Sequence, residues 1–250
     1  MQLLALDTST ETMSIAVQRT VDGQAQVWRH DAPGGTQTSS QLIPAIQALL
    51  AQAGLTIGQL DAIAFGCGPG SFTGLRTACS VAQGLAFGAA VQKPGGHGMP
   101  VLPVDSLLAV AEEARFQHAR TASPLQVLSL LDARMDEMYA GHYRYAGGQW
   151  TQLEDFSLIR PEELALEPGW LLAGNVWDAY GQRLPAGAAS GLKALPSASA
   201  MLRLAPQLLA EGAAIDPALA LPRYIRDKVA KTTLERAALR DLASLGTRLP

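Results

Sequence analysis

MQLLALDTSTETMSIAVQRTVDGQAQVWRHDAP, residues 1–33, is the stretch that decides the fold. Leu3 to Asp7 is a short apolar run, the pattern of a buried strand. Thr8 to Glu11 is a polar turn. Ser14-Ile15-Ala16-Val17-Gln18 alternates as a strand with one buried face does, Asp22-Gly23 is a hairpin turn signal, and Gln26 to His30 returns as a third strand. Three strands therefore precede the first helix. Ser39 or Ser40 can cap that helix, Leu42, Ile46, Leu49 and Ala53 form its apolar face, and Gly54 sits where a stop belongs. Pro44 fits because it lies in the first turn or so. Ala62 to Cys67 reads as the next strand, Ser71 to Gly88 as the next helix, Pro94 to Gly98 as a loop and Val101 to Val104 as a fifth strand.

A doubly wound parallel sheet would alternate strand and helix from the start. The order β-β-β-α-β-α-β is instead that of a ribonuclease-H-like lobe, the unit that actin-like ATPases and sugar kinases use in pairs. The second half echoes the first. Asp105 can cap a helix through Leu107, Leu108, Val110 and Ala111, and Gln126 to Leu131 is an apolar strand ending at Asp132, as the first strand ends at Asp7. Glu137 to Tyr145 and Trp150 to Leu158 flank an Ala146-Gly147-Gly148 turn, Trp170 to Gly174 is another strand, and Ser197 to Glu211 another helix. The expectation is an α/β chain of two ribonuclease-H-like lobes of the actin-like ATPase type, residues 1–105 and 106–230. A tail, 231–250, follows, amphipathic over 232–246 with Leu234, Leu242 and Leu245 on its apolar side.

The 250 residues suffice for a sizeable core without disulfides or metal. Only 16% are charged and the net charge is −3, so nothing in the balance suits a chain that grips nucleic acid by itself. Cys67 and Cys79 read as small core residues in a reducing compartment. The N-terminus runs straight into the first strand, without a charged segment or a long apolar stretch, which predicts a cytosolic chain with no membrane span.

Three places could carry chemistry. Asp7-Thr8-Ser9 follows a strand directly. A carboxylate there can orient a metal-bound water beside a phosphate, or the three residues can simply satisfy a tight turn. Gly66-Cys67-Gly68-Pro69-Gly70-Ser71-Phe72-Thr73-Gly74-Leu75-Arg76 leaves a strand and enters a helix. Its glycines (Gly66, Gly68, Gly70) with Pro69 allow close backbone approach, Ser71 can cap the helix, and amides at that N-terminus could hold an anion; packing two elements tightly is the structural alternative. No Lys-Ser/Thr pair follows the glycines, so it is not a Walker loop. Asp132-Ala133-Arg134 is either a second phosphate-facing loop or an ion pair at the lobe junction. For metal, His30, His97, His118 and His142 include no two that are three or four residues apart, so no helical histidine pair exists. Glu112-Glu113 and Glu162-Glu163 read as solvated faces. Along the second helix, Gly74, Ala78, Ala82 and Ala86 recur every four residues as a ridge of small side chains flanked by Leu75, Cys79, Val81 and Leu85. Such a ridge suits close approach by another helix, or burial inside one lobe.

Leu4-Ala5-Leu6-Asp7-Thr8-Ser9, Gly68 to Arg76, Leu130-Leu131-Asp132-Ala133-Arg134 and Pro222-Arg223-Tyr224-Ile225-Arg226, in this order, resemble the TsaB (YeaZ) family, and the resemblance spans residues 3–230. It implies a non-catalytic, cytoplasmic partner of a TsaD-like catalytic paralogue and a TsaE-like ATPase in forming threonylcarbamoyladenosine in tRNA. It also implies homodimers when alone, contact with tRNA only through the complex, and no required cofactor, with weak nucleotide binding as the residual capacity of the loops. The first-lobe helical surface (Gly74, Leu75, Ala78, Cys79, Ala82, Leu85, Ala86) is implied to pair with the paralogue. An active actin-like ATPase or kinase, or a metallopeptidase, is the alternative from a different class. The chain departs from the family pattern at Thr38, where a histidine often precedes the first helix, at Asp136, where glycine is common, in the loop from Lys93 to Met99, and in its tail.

Overall fold

The computed structural model describes residues 1–35, 37–90, 98–118 and 124–225. The 231–250 tail and most of the 93–99 loop lie outside the described residues. The first half runs β1 (Gln2–Asp7), β2 (Thr12–Val21), β3 (Gln24–Pro33), α1 (Thr38–Gln52), β4 (Ala62–Gly68), α2 (Phe72–Ala90) and β5 (Val101–Asp105). Next come α3 (Ser106–His118), β6 (Leu125–Arg134), β7 (Glu137–Ala146), β8 (Gln149–Gln152), β9 (Ser157–Ile159), β10 (Leu171–Gly174), α4 (Trp177–Tyr180), β11 (Leu192–Lys193) and α5 (Ala198–Ala210).

The two sheets repeat one plan. The first is ordered β3-β2-β1-β4-β5, with an antiparallel meander followed by parallel additions. Read from its meander, the second is β8-β7-β6-β10-β11, again antiparallel and then parallel, with β9 also on β7. Crossover helices begin where parallel strands need them. Local chemistry sets most element ends. Gly54 takes φ +63° just past α1, Ser197 caps α5 by accepting from the Ala200 amide, and Asp105 accepts the Leu107 amide at 2.8 Å to start α3. The strand expected from Trp150 to Leu158 is instead two short strands, β8 and β9, laid on different stretches of β7.

The helices do not respect a boundary at residue 105. α3 packs mainly on β6 and on α5, whereas α5, from the second half, packs on β1, β2 and β4 of the first sheet. After α5 the chain stays with the first lobe: Ile215 bridges to Val101, and Gln83 donates to the carbonyls of Pro217 and Ala220. One central core therefore joins Leu3, Ala5 and Val104 of the first sheet to Val127 and Leu131 of the second through Met201 and Leu204. Separate outer cores lie under α1 and α2 and behind β6 and β10.

Glu112 is not on a solvated face. It is 2% exposed in this central layer, where it accepts from Arg115, from Arg203 of α5 and from the indole N–H of Trp150 at 2.7–3.0 Å. Its neighbour Glu113 accepts from Ser197 and Arg203. A buried carboxylate survives only when it is paired and hydrogen-bonded in this way. Glu162 does stay at the surface, paired with Arg183.

Candidate inter-lobe site

β1, β3 and β4 run in the same direction, so their C-terminal ends, the β1–β2 hairpin and the starts of α1 and α2 gather at one end of the first sheet. The β6–β7 hairpin faces them from the second. Between them is a cleft of about 950 Å³, lined by Thr8, Ser9, Gly70, Asp132 and Arg134 among others, with Arg223 and Tyr224 arriving from the C-terminal segment.

On the first-lobe side the two sequence motifs are bonded to each other. The Thr8 hydroxyl donates to the Gly74 carbonyl at 2.6 Å, and the Ser71 amide donates to the Ser9 carbonyl at 2.7 Å. Gly74 is required by this closure, because a Cβ there would strike the Thr8 carbonyl. Gly66 is required beside it, because a Cβ would strike the carboxylate of Asp7. Asp7 is fully buried. Its Oδ1 accepts from the amide and hydroxyl of Ser9 at 2.9 and 2.8 Å, and its Oδ2 has no hydrogen-bond partner. Burial pushes its pKa up to about 6, against the pull of the two Ser9 bonds. Gly68, Pro69 and Gly70 complete the turn, with the Gly68–Pro69 peptide cis and the Arg223 amide donating to the Cys67 carbonyl at 2.6 Å. Burial, then the Asp105 carboxylate, raise Cys67 to about 12, which leaves it an unreactive thiol.

On the second-lobe side, Asp132 accepts from the Tyr180 hydroxyl and the Arg134 amide, each at 2.7 Å, and pairs with the Arg134 guanidinium, whose side chain is 79% exposed. The Asn175 side chain accepts from the Asp132 amide and donates to Glu11 across the cleft. Asp136 keeps φ +63°, a conformation that favours glycine, and pairs with Arg183. The expected loop residues thus do meet across one cleft, held by their own neighbours. Tyr180 gives no signal in sequence, and Asn175 shows only as the end of the Ala173-Gly174-Asn175 turn, a faint candidate for an adenine-binding loop, because their partners lie 48 and 43 residues away.

The ridge of small residues on α2 faces inward. Ala78, Ala82 and Ala86 are 0% exposed and Cys79 3%, all packed in the first lobe's outer core, and Leu75 is 1% exposed. Gly74 is held under Thr8, and Leu85 packs against the same core. Leu75, Ala78, Cys79, Ala82 and Ala86 are therefore buried within their own lobe, while Gly74 and Leu85 are partly exposed. The opposite edge of α2 is open: Phe72 and Phe87 are about half exposed, and Leu219 and Leu221 stand beside it with Tyr224 stacked on Phe72 at 5.1 Å. Small size made the ridge ambiguous, since alanine serves a helix–sheet contact as well as a helix–helix one.

Among the described residues there is no group of three His, Cys, Asp or Glu that could hold a metal ion, and no helix long and apolar enough to cross a membrane.

Two ribonuclease-H-like sheets with facing hairpins around a cleft define the actin-like class. Comparison with known proteins narrows it. A family model described as "TsaD: tRNA N6-adenosine threonylcarbamoyltransferase" matches residues 24–174. The chain is 33% identical to the tRNA threonylcarbamoyladenosine biosynthesis protein TsaB of Escherichia coli, covering 92% of this chain and 96% of that one. It is 33% identical to the protein of that name from Haemophilus influenzae, over 91% and 94%. The solved structure of YeaZ from Pseudomonas aeruginosa superposes with a TM-score of 0.75 at 36% identity, covering 90% of this chain and 99% of that one. The chain belongs to the TsaB (YeaZ) family.

Proposed function

We propose that the chain is a non-catalytic subunit of the cytoplasmic machinery that forms N6-threonylcarbamoyladenosine in tRNA. In this reading it binds and stabilises a TsaD-like catalytic paralogue alongside a TsaE-like ATPase. The family relationship supports the pathway. The observation that carries the subunit role is the closure of the first-lobe loops, in which the Thr8 hydroxyl and Ser9 carbonyl spend their hydrogen bonds on Gly74 and Ser71 rather than facing a substrate. No cofactor is required in this reading. The partner surface is the open edge of α2, where Phe72 and Phe87 are exposed beside the 217–221 segment with its exposed Leu219 and Leu221, and Ile43 of α1 is exposed as well. A chain with both aromatics on one edge of a surface helix has an apolar stripe to cover.

The test is capture of the purified TsaD-like paralogue by the purified chain, with ATP turnover of the chain assayed by itself. Stable capture and no turnover are expected. Turnover by the isolated chain that Asp7→Ala abolishes would overturn the reading in favour of an ATPase or kinase.

A further inference from the structure

The outward face of α2 carries almost no charge and two glycines that its own lobe does not require. Of the 19 residues of α2 only Arg76 is charged, and α1 has no charged residue. Phe72, Arg76, Ser80, Gly84 and Phe87 are exposed along one side of the helix. From Phe72 to Phe87 that stripe is about 22 Å long. Arg76 lies over the Phe72 ring at 3.8 Å and donates to the Tyr224 hydroxyl at 2.8 Å, so its charge is spent on the aromatic end of the stripe. A Cβ on Gly84 or Gly88 would meet nothing within 4 Å among the described residues. Glycine inside a helix is less stable than alanine, and it suits a place where another backbone comes close. This face has the form of one half of a helix–helix contact.

The chain itself supplies an occupant. Tyr224 stacks on Phe72 at 5.1 Å, and Ile225, the last described residue, packs against the central core. The segment that follows therefore begins at one end of the stripe. Residues 226–250 lie outside the described residues, and their sequence carries its own helix signals. Thr232 and Glu235 have the spacing of a capping box, and Gly246 has the place of a stop. Between them Leu234, Ala238, Leu242 and Leu245 recur at spacings of four, four and three. As a helix, residues 232–246 would span about 22 Å, the length of the stripe. Residues 226–250 include six basic and three acidic side chains, which puts this segment at +3 and the rest of the chain at −6, so the two attract.

We propose that residues 232–246 lie as a helix along the outer face of α2, with Leu242 and Leu245 toward Phe87, and that a partner must displace them to reach it. The covering stands by itself, whereas its regulatory consequence rests on the reading of this edge as the paralogue-binding surface. A tethered segment acts at an effective concentration of the order of millimolar, so a weak intrinsic contact suffices to keep the edge covered. Covering at about ten to one lowers the partner's apparent affinity about tenfold.

The experiment is hydrogen exchange on the purified full chain, read at residues 232–246 by mass spectrometry at a low and a high protein concentration. In the parent these amides should exchange about tenfold more slowly than in a Leu242→Asp, Leu245→Asp double variant. Phe87→Asp should bring them to the double variant's rate. Parent and double variant exchanging alike would overturn the proposal. So would protection that Phe87→Asp leaves intact, since the segment would then pack elsewhere. Protection that appears only at the high concentration would also overturn it, in favour of a second copy as the cover. Titration with the purified paralogue tests the regulatory part: the double variant should bind it about tenfold more tightly than the parent, and equal affinity would overturn the competition. Failure of both chains to bind the paralogue would sink the subunit reading instead, and the exchange at 232–246 would still decide whether α2 is covered.

Discussion

At Asp7, burial and hydrogen bonding pull in opposite directions, and burial wins. The carboxyl titrates near 3.8 when unfolded and at about 6 when folded, because the desolvation of a fully buried group outweighs two bonds from Ser9. A raised folded pKa means the folded state holds its proton more tightly. The associated stability is complete below about pH 4 and is lost as pH rises through 6, a difference of roughly 2–3 kcal/mol by pH 8. Asp7→Asn keeps an acceptor for both Ser9 donors and cannot ionise. It should therefore be more stable than the parent at pH 8, by up to that amount, with the gap closing toward pH 4. Denaturant unfolding at several pH values checks this. Asp105, raised to about 7 by burial, keeps its own share of the slope in the variant. A gap that stayed constant with pH would mean that Asp7 is ionised in the folded chain.

The hairpin between β6 and β7 and the helix α2 show how far an element can be read before its neighbours are known. Arg134, Met135 and Asp136 all take positive φ, at +61°, +56° and +63°. Left-handed backbone costs a side-chain-bearing residue about 1–2 kcal/mol. Asp136 pairs with Arg183 and the Arg134 amide is fixed by Asp132, and Met135 is the most exposed large hydrophobic residue of the hairpin, at 66%. Met135→Gly should thus raise stability by about 1 kcal/mol, measured as a higher denaturation midpoint, and an unchanged or lower midpoint would refute the strain account. The α2 pattern was equally legible as a pattern, and its direction was not. Helical periodicity located the Ala78, Ala82, Ala86 ridge, but only the packing under α2 shows that it meets the lobe's own sheet. Ala82→Trp is expected to lower the melting temperature sharply, since overpacking a core costs about 1–3 kcal/mol or more. Phe87→Asp, on the open edge, should leave the melting temperature nearly unchanged and abolish capture of the paralogue. If Phe87→Asp still captures it normally, the interface lies elsewhere.

At the scale of the whole molecule, the sequence specifies the two sheets better than it specifies the halves. Three strands before any helix, then strand and helix in turn, were readable because periods of two and of 3.6 residues differ within ten residues. The exchange of α5 onto the first sheet was not, because an apolar helix face does not say which sheet it covers. The burial of Glu112 was hidden for the same reason: Trp150 is 38 residues away and Arg203 is 91. The expected consequence is that residues 1–105 do not fold alone, although they contain a complete five-stranded sheet. Without α5 and the 213–225 segment, Leu3, Ala5, Ala16 and Ala64 lose the cover of Met201 and Leu204, and the bridge at Val101 and the Gln83 acceptors go with them. The fragment 1–105 should give a disordered amide spectrum and no cooperative melt, while 1–225 melts in one transition. Glu112→Gln in the full chain should keep that single transition and lower its midpoint, because removing one member of a buried ion network costs about 3–5 kcal/mol. A cooperative melt from the 1–105 fragment, or two resolved transitions in the intact chain, would mean that the lobes are held by the chain alone and that the shared core between them contributes little.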